Sequence, residues 1–108
     1  MTPEKAIASL DRQIAKHGQS VKVRKGNTTD GEIAARASVR GMKPDEIAGA
    51  ITQSDRKVVL SPTGISVGSL PKSGGSVVID DAPQQIIGKP DFVKINDVIV
   101  RINISVKG

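Results

Sequence analysis

The chain has 108 residues, a net charge of +5, 37% hydrophobic residues, a single aromatic (Phe92) and no cysteine; that length holds about one domain with one core, and the lack of cysteine excludes a disulfide framework, a thiolate metal site and a cysteine nucleophile. Valine and isoleucine supply 25 of the hydrophobic residues against 3 leucines, a bias that suits a pleated sheet built from branched aliphatics. No run reaches the roughly 18 apolar residues of a membrane span, and MTPEKAIASL lacks a basic region followed by an apolar one, so a soluble chain that is not exported is expected.

Thr2-Pro3-Glu4-Lys5 reads as a helix start. Thr2 can accept from an orphan amide, Pro3 is preset for the first turn and Glu4 suits the positive end of the helix dipole. Ile7, Leu10 and Ile14 then share one face, and Gly18 stops the helix, which is expected over residues 3–16. A helix this short is marginal alone, so its apolar stripe must dock on its own sheet or on a neighbouring subunit.

From Gln19 the period changes to two, with Val21 and Val23 on one face and Lys22 and Arg24 on the other. The turn-forming run Gly26 to Gly31 sends the chain back. A second arm follows, with Ile33, Ala35, Ala37 and Val39 inward and Glu32, Arg36, Ser38 and Arg40 outward. The segment between Asp11 and Asp30 holds Arg12, Lys16, Lys22, Arg24 and Lys25 with no acid, which equals the whole surplus of charge. Such a run meets nucleic acid, an acidic protein or only solvent.

Gly41, Met42, Lys43, Pro44, Asp45, Glu46, Ile47, Ala48, Gly49, Ala50, Ile51, Thr52, Gln53 and Ser54 form a long connection of another kind. Pro44 and Asp45 could open a short helical turn, yet Gly49 and the shortage of large apolar groups leave little to bury. Connections of that length in a compact domain are usually functional or disordered.

The remaining strands are expected at Arg56 to Ser61, with a continuation over Gly64 to Val67, and at Ser76 to Asp80, Gln84 to Ile87, Phe92 to Ile95 and from Val98 onward. Asp81-Ala82-Pro83 and Asn96-Asp97 are the turns. In the last strand Val98, Val100, Ile102, Ile104 and Val106 are expected to face in, with Ile99 alone breaking the outward polar set. The fold class is therefore mainly β (α+β): a small antiparallel barrel or sandwich of about six strands, one N-terminal helix, and a long loop between the second and third strands.

Chemistry is sparse. His17 is the only histidine, and no spacing of carboxylates around it makes a metal site or a catalytic triad. Asp80, Asp81, Asp91 and Asp97 sit beside turns, as Asx-turn formers do. Lys72-Ser73-Gly74-Gly75-Ser76 lacks the spacing of a phosphate loop and opens a strand rather than a helix. No catalytic, cofactor-binding or metal residue is assigned, and no enzyme is expected. Single-strand nucleic-acid binders use aromatic platforms, which Phe92 alone cannot supply. A basic β-barrel binding phosphates through Lys22, Arg24 and Lys25, blind to sequence, is the alternative function.

Taken in order, SDRKVVLSPTGI, LPKSGGSVVIDD and DFVKINDVIVRINISVKG resemble the small head-tail joining proteins of tailed phages and prophages, also called head completion, head closure or stopper proteins. The resemblance covers most of the chain and rests on turn and strand signatures. It implies a non-enzymatic virion protein of the neck, assembled in the host cytoplasm as a homo-oligomeric ring of about six or twelve copies. The portal or adaptor ring would lie on one side, the tail terminator or tail tube on the other, genomic DNA in the channel, and no membrane. On this resemblance Gly41 to Ser54 reach into the channel or onto the next ring. Lys22, Arg24 and Lys25 face DNA or an acidic portal surface, and Ile7, Leu10 and Ile14 form a helix face between subunits.

Overall fold

The computed structural model describes residues 2–25, 32–47, 49, 54–63, 65 and 70–107, except for the side chain of residue 46. The chain runs as helix α1 (Pro3–His17), strands β1 (Gln19–Arg24) and β2 (Ile33–Gly41), a 3₁₀ turn (Pro44–Glu46), and strands β3 (Arg56–Leu60), β4 (Ser76–Ile79), β5 (Ala82–Gln85), β6 (Asp91–Ile95) and β7 (Val98–Val106). The helix starts as its sequence dictates: Thr2 Oγ1 accepts from the Lys5 amide at 3.3 Å, Pro3 and Glu4 occupy the first turn, and Lys16 and His17 the last.

Gly18 ends the helix for a reason of space. Its φ is −89°, open to any residue. A Cβ there would sit 2.5 Å from the Ile14 carbonyl oxygen and 2.7 Å from that of Ala37. Only a bare Cα lets the chain turn from helix into β1 against β2, and Arg36 closes the junction by donating to the Gly18 carbonyl at 3.0 Å.

The seven strands form one antiparallel sheet in the order β5-β4-β1-β2-β3-β7-β6. It curls into a half-barrel, the mainly β architecture expected, with seven strands where about six were counted. The curl is pinned where β5 runs on into Ile86, which bridges Val106 at the far end of β7. Branched aliphatics fill the concave side: Val58, Leu60, Val77, Ile79, Ile102 and Ile104 are each at most 1% exposed. At about 25 cal/mol per Å² of apolar surface removed from water, burial of this kind is the main stabilising term for a chain with one aromatic.

The convex side carries α1. Leu10 and Ile14 pack on Val59, which points outward between the inward Val58 and Leu60 of β3. Thr63, just past β3, donates from Oγ1 to Asp11 Oδ2 at 2.8 Å and ties the helix down at a second point.

The turns depart from expectation in one place. Asp80 and Asp81 both have positive φ (52° and 64°), with Ile79 opposite Ala82. This is the two-residue mirror-image turn whose twist matches a hairpin, and short Asx side chains tolerate it. β5 therefore begins at Ala82, earlier than the Gln84 start expected from Asp81-Ala82-Pro83. Asn96 and Asp97 (51° and 63°) make the same turn between β6 and β7, where it was expected.

The alternation expected along β7 fails at its start. Val93 pairs with Arg101 and Lys94 with Ile99, so Val100 is an extra residue in β7, a β-bulge. The phase inverts there. Ile99 packs on the core, Val98 is 44% exposed, and Val100 is buried beside α1 rather than inside the half-barrel. The proposed continuation over Gly64 to Val67 and the Gly26 to Gly31 turn lie outside the described residues, apart from Ile65, which packs on the core.

Candidate functional site

The connection between β2 and β3 starts and ends on one rung of the sheet, because Gly41 pairs with Arg56. Its excursion is therefore a closed loop rooted in two hydrogen-bonded strands. Gly41 belongs to β2, and Met42 and Lys43 lead to the 3₁₀ turn Pro44–Glu46, where the Ile47 amide donates to the Pro44 carbonyl at 3.3 Å. Proline presets the φ of that turn, as its sequence suggests. Asp45 is exposed, Ile47 is 40% exposed, and Gly49 holds a φ of +59°. Ser54 is exposed and Asp55, partnered and only 3% exposed, roots the return. Ala48, Ala50, Ile51, Thr52 and Gln53 lie outside the described residues.

The basic segment is less basic in space than along the chain. Pairing of β1 with β2 brings Glu32 beside it: Arg24 Nε donates to Glu32 Oε2, and Lys22 Nζ lies 3.8 Å from Glu32 Oε1. The Arg24 and Glu32 side chains are 18% and 17% exposed, so that pair is partly shielded, whereas Lys22 is 55% exposed. One carboxylate thus faces two of the three candidate cations. Lys25, exposed just past β1, has no such acidic neighbour among the described residues.

Of the candidate helix face, Leu10 (8% exposed) and Ile14 (4%) lie against Val59 of the same chain. The outer face of the sheet offered an apolar residue at the right place, so the stripe is satisfied internally. Ile7, one turn earlier, is half-buried.

Beside the helix lies a surface that periodicity did not indicate. Two hollows of about 170 and 200 Å³ run along α1 and share Leu10, Gln13 and Arg101. The first is walled by Val93 and Val100, and the second is rimmed by His17 and Arg40. The one signal in the sequence was Ile99, whose break in the alternation marks the bulge that turns Val100 toward the helix.

Among the described residues no three His, Cys, Asp or Glu side chains cluster as metal ligands, and no helix is long and apolar enough to cross a membrane. The fold and surfaces define a half-barrel with a solid aliphatic interior, one outer helix and an exposed β2–β3 connection. Comparison with family models, with curated proteins and with solved structures finds no match for the chain.

Proposed function

We propose that the chain is a structural subunit of the neck of a tailed phage or prophage, a head completion protein that forms a ring below the portal and receives the tail. The observation that carries this reading is the β2–β3 connection, rooted on the Gly41–Arg56 rung and exposing Ile47, an aliphatic side chain that the chain's own core does not take up. Long exposed connections in compact domains commonly carry function, and this one presents an aliphatic side chain to a neighbour. The solid interior adds support: with Leu60, Ile79, Ile102 and Ile104 filling it, recognition falls to the outside of the half-barrel. In this reading the chain performs no catalysis, acts in the virion, and contacts the portal side, the tail side and the DNA that passes between them.

The alternative, a basic barrel binding nucleic acid, draws on the same Lys22, Arg24 and Lys25 and is weakened by Glu32, which sits on two of them. The decisive experiment is to tag the chain in a host that carries its phage or prophage, induce particles and quantify the chain in them by mass spectrometry. A fixed copy number near that of one ring is expected. Particles that complete and infect normally without the chain overturn the proposal.

A further inference from the structure

Among the described residues the exposed large hydrophobics are three: Ile47 on the β2–β3 connection, and Val93 and Val98 on the β6–β7 hairpin. Two of them, Ile47 and Val93, make a knob and one wall of a hole, while Val98 lines neither hollow. Ile47 stands just past a 3₁₀ turn, two residues after the exposed carboxylate of Asp45. Val93 walls the trough along α1, whose floor is Leu10 and Val100 and whose rim carries Arg101, Arg40 and His17. Arg101 is exposed, and the contact that orients it is with a neutral group: its Nε donates to Asn103 Oδ1 at 2.9 Å. No acidic residue lines either hollow.

The knob and the hole match in both polarity and charge. An acid followed by an aliphatic side chain on the turn faces a basic residue beside aliphatic ones in the trough. They do not meet within one chain: Ile47 does not line the trough and stays 40% exposed, while Val93 stays 36% exposed.

We propose that the trough between α1 and the β6–β7 hairpin is the docking site for the Asp45–Ile47 turn of a second copy of this chain. Ile47 sits against Val93 and Val100, and Asp45 reaches Arg101. The two surfaces differ, so the contact is heterologous, the kind that builds rings when its rotation closes. The charges set orientation and encounter, and the aliphatic contact supplies most of the affinity. This deepens the ring reading above and rests on it for the closure of the assembly, though not for the contact itself.

The absence of cysteine makes a trapping experiment clean. Lys43→Cys, exposed beside the turn and leaving Ile47 intact, is made in one batch of full-length chain and Gln13→Cys in another; Gln13 is exposed and lines both hollows. The batches are mixed at high concentration under mild oxidation, with Lys72→Cys, exposed and lining neither hollow, replacing Gln13→Cys as control. Heterodimer is expected to form about tenfold faster with Gln13→Cys than with the control, the effect of a raised local concentration. Adding Arg101→Glu to the Gln13→Cys chain abolishes the advantage, and adding Asp45→Arg to the Lys43→Cys chain restores it. Equal rates for the two acceptors overturn the proposal, as does an advantage that ignores both charge reversals. A chain that enters particles yet shows equal rates leaves the neck reading standing and sinks this contact alone. If the trough binds a soluble polyglutamate probe while the rates stay equal, its occupant is a foreign acidic segment, and the self-contact falls.

Discussion

Ile86 lies opposite Val106, flanked by two backbone bonds: the Ile87 amide donates to the Ser105 carbonyl at 2.7 Å and the Lys107 amide to that of Gln85 at 3.0 Å. The Ile86 amide itself donates to the Gly75 carbonyl at 3.0 Å. Ile86 therefore links the β4 side of the sheet to β7 and is 5% exposed at the seam. Ile86→Ala removes aliphatic volume where the curl is pinned. It is expected to destabilise by about 2–4 kcal/mol, read as a fall in the urea midpoint.

Glycine 18 and glycine 41 make a matched pair. At Gly18 an added Cβ meets two backbone carbonyls at 2.5 and 2.7 Å, which cannot yield without moving α1 from β2. At Gly41 it meets nothing within 4 Å. Gly18→Ala is expected to cost about 1–3 kcal/mol through overpacking, and Gly41→Ala to stay within about 0.5 kcal/mol of the parent in a thermal melt.

Glu32 holds down the charge of β1. Glu32→Gln leaves Lys22 and Arg24 without their shared carboxylate and raises the net charge by one unit from +5. Stability is expected to change by no more than about 1 kcal/mol, since Lys22 is exposed and Arg24 only partly shielded. Retention on immobilised heparin is expected to rise, with elution at higher salt. Unchanged retention would mean that this face does not govern polyanion contact.

Ile47 and Ile102 are both isoleucines, one 40% exposed on the connection and the other fully buried in the core. Ile47→Ser is expected to leave the melting temperature nearly unchanged while lowering the yield of complete particles, as the neck reading requires. Ile102→Ala is expected to cost about 2–5 kcal/mol. A large loss of stability from Ile47→Ser would place that side chain in the core and end its role as a contact.

Much of the molecule was legible because local chemistry decides it. Thr2, Pro3 and Gly18 bound α1 within a residue of expectation, the alternation of Val21 and Val23 against Lys22 and Arg24 set the faces of β1, and Asn96-Asp97 placed the last turn. Asp80-Asp81 departs from that expectation because Pro83 also marks a turn; proline is tolerated at position 83 because β5 lies at the edge of the sheet, where Pro83 pairs with Val78 of β4.

Of the candidate site, the β2–β3 connection was visible as a stretch with too few large apolar groups to pack, whereas the trough beside α1 was not. Period-two patterning assumes an unbroken ladder, and the extra residue at Val100 inverts the phase without any local marker but Ile99. Glu32 lies eight residues from Arg24 along the chain yet touches it across the hairpin.

The order of polar and branched residues thus determined which segments become helix, strand and turn, since those preferences act over a few neighbours. Only the tertiary structure decided that α1 lies on its own sheet, that Glu32 quiets the basic strand, and that Ile86 meets Val106. Each joins positions far apart along the chain, through strand pairing, packing of the helix on the sheet or the curl of the sheet itself, none of which a short window of sequence contains.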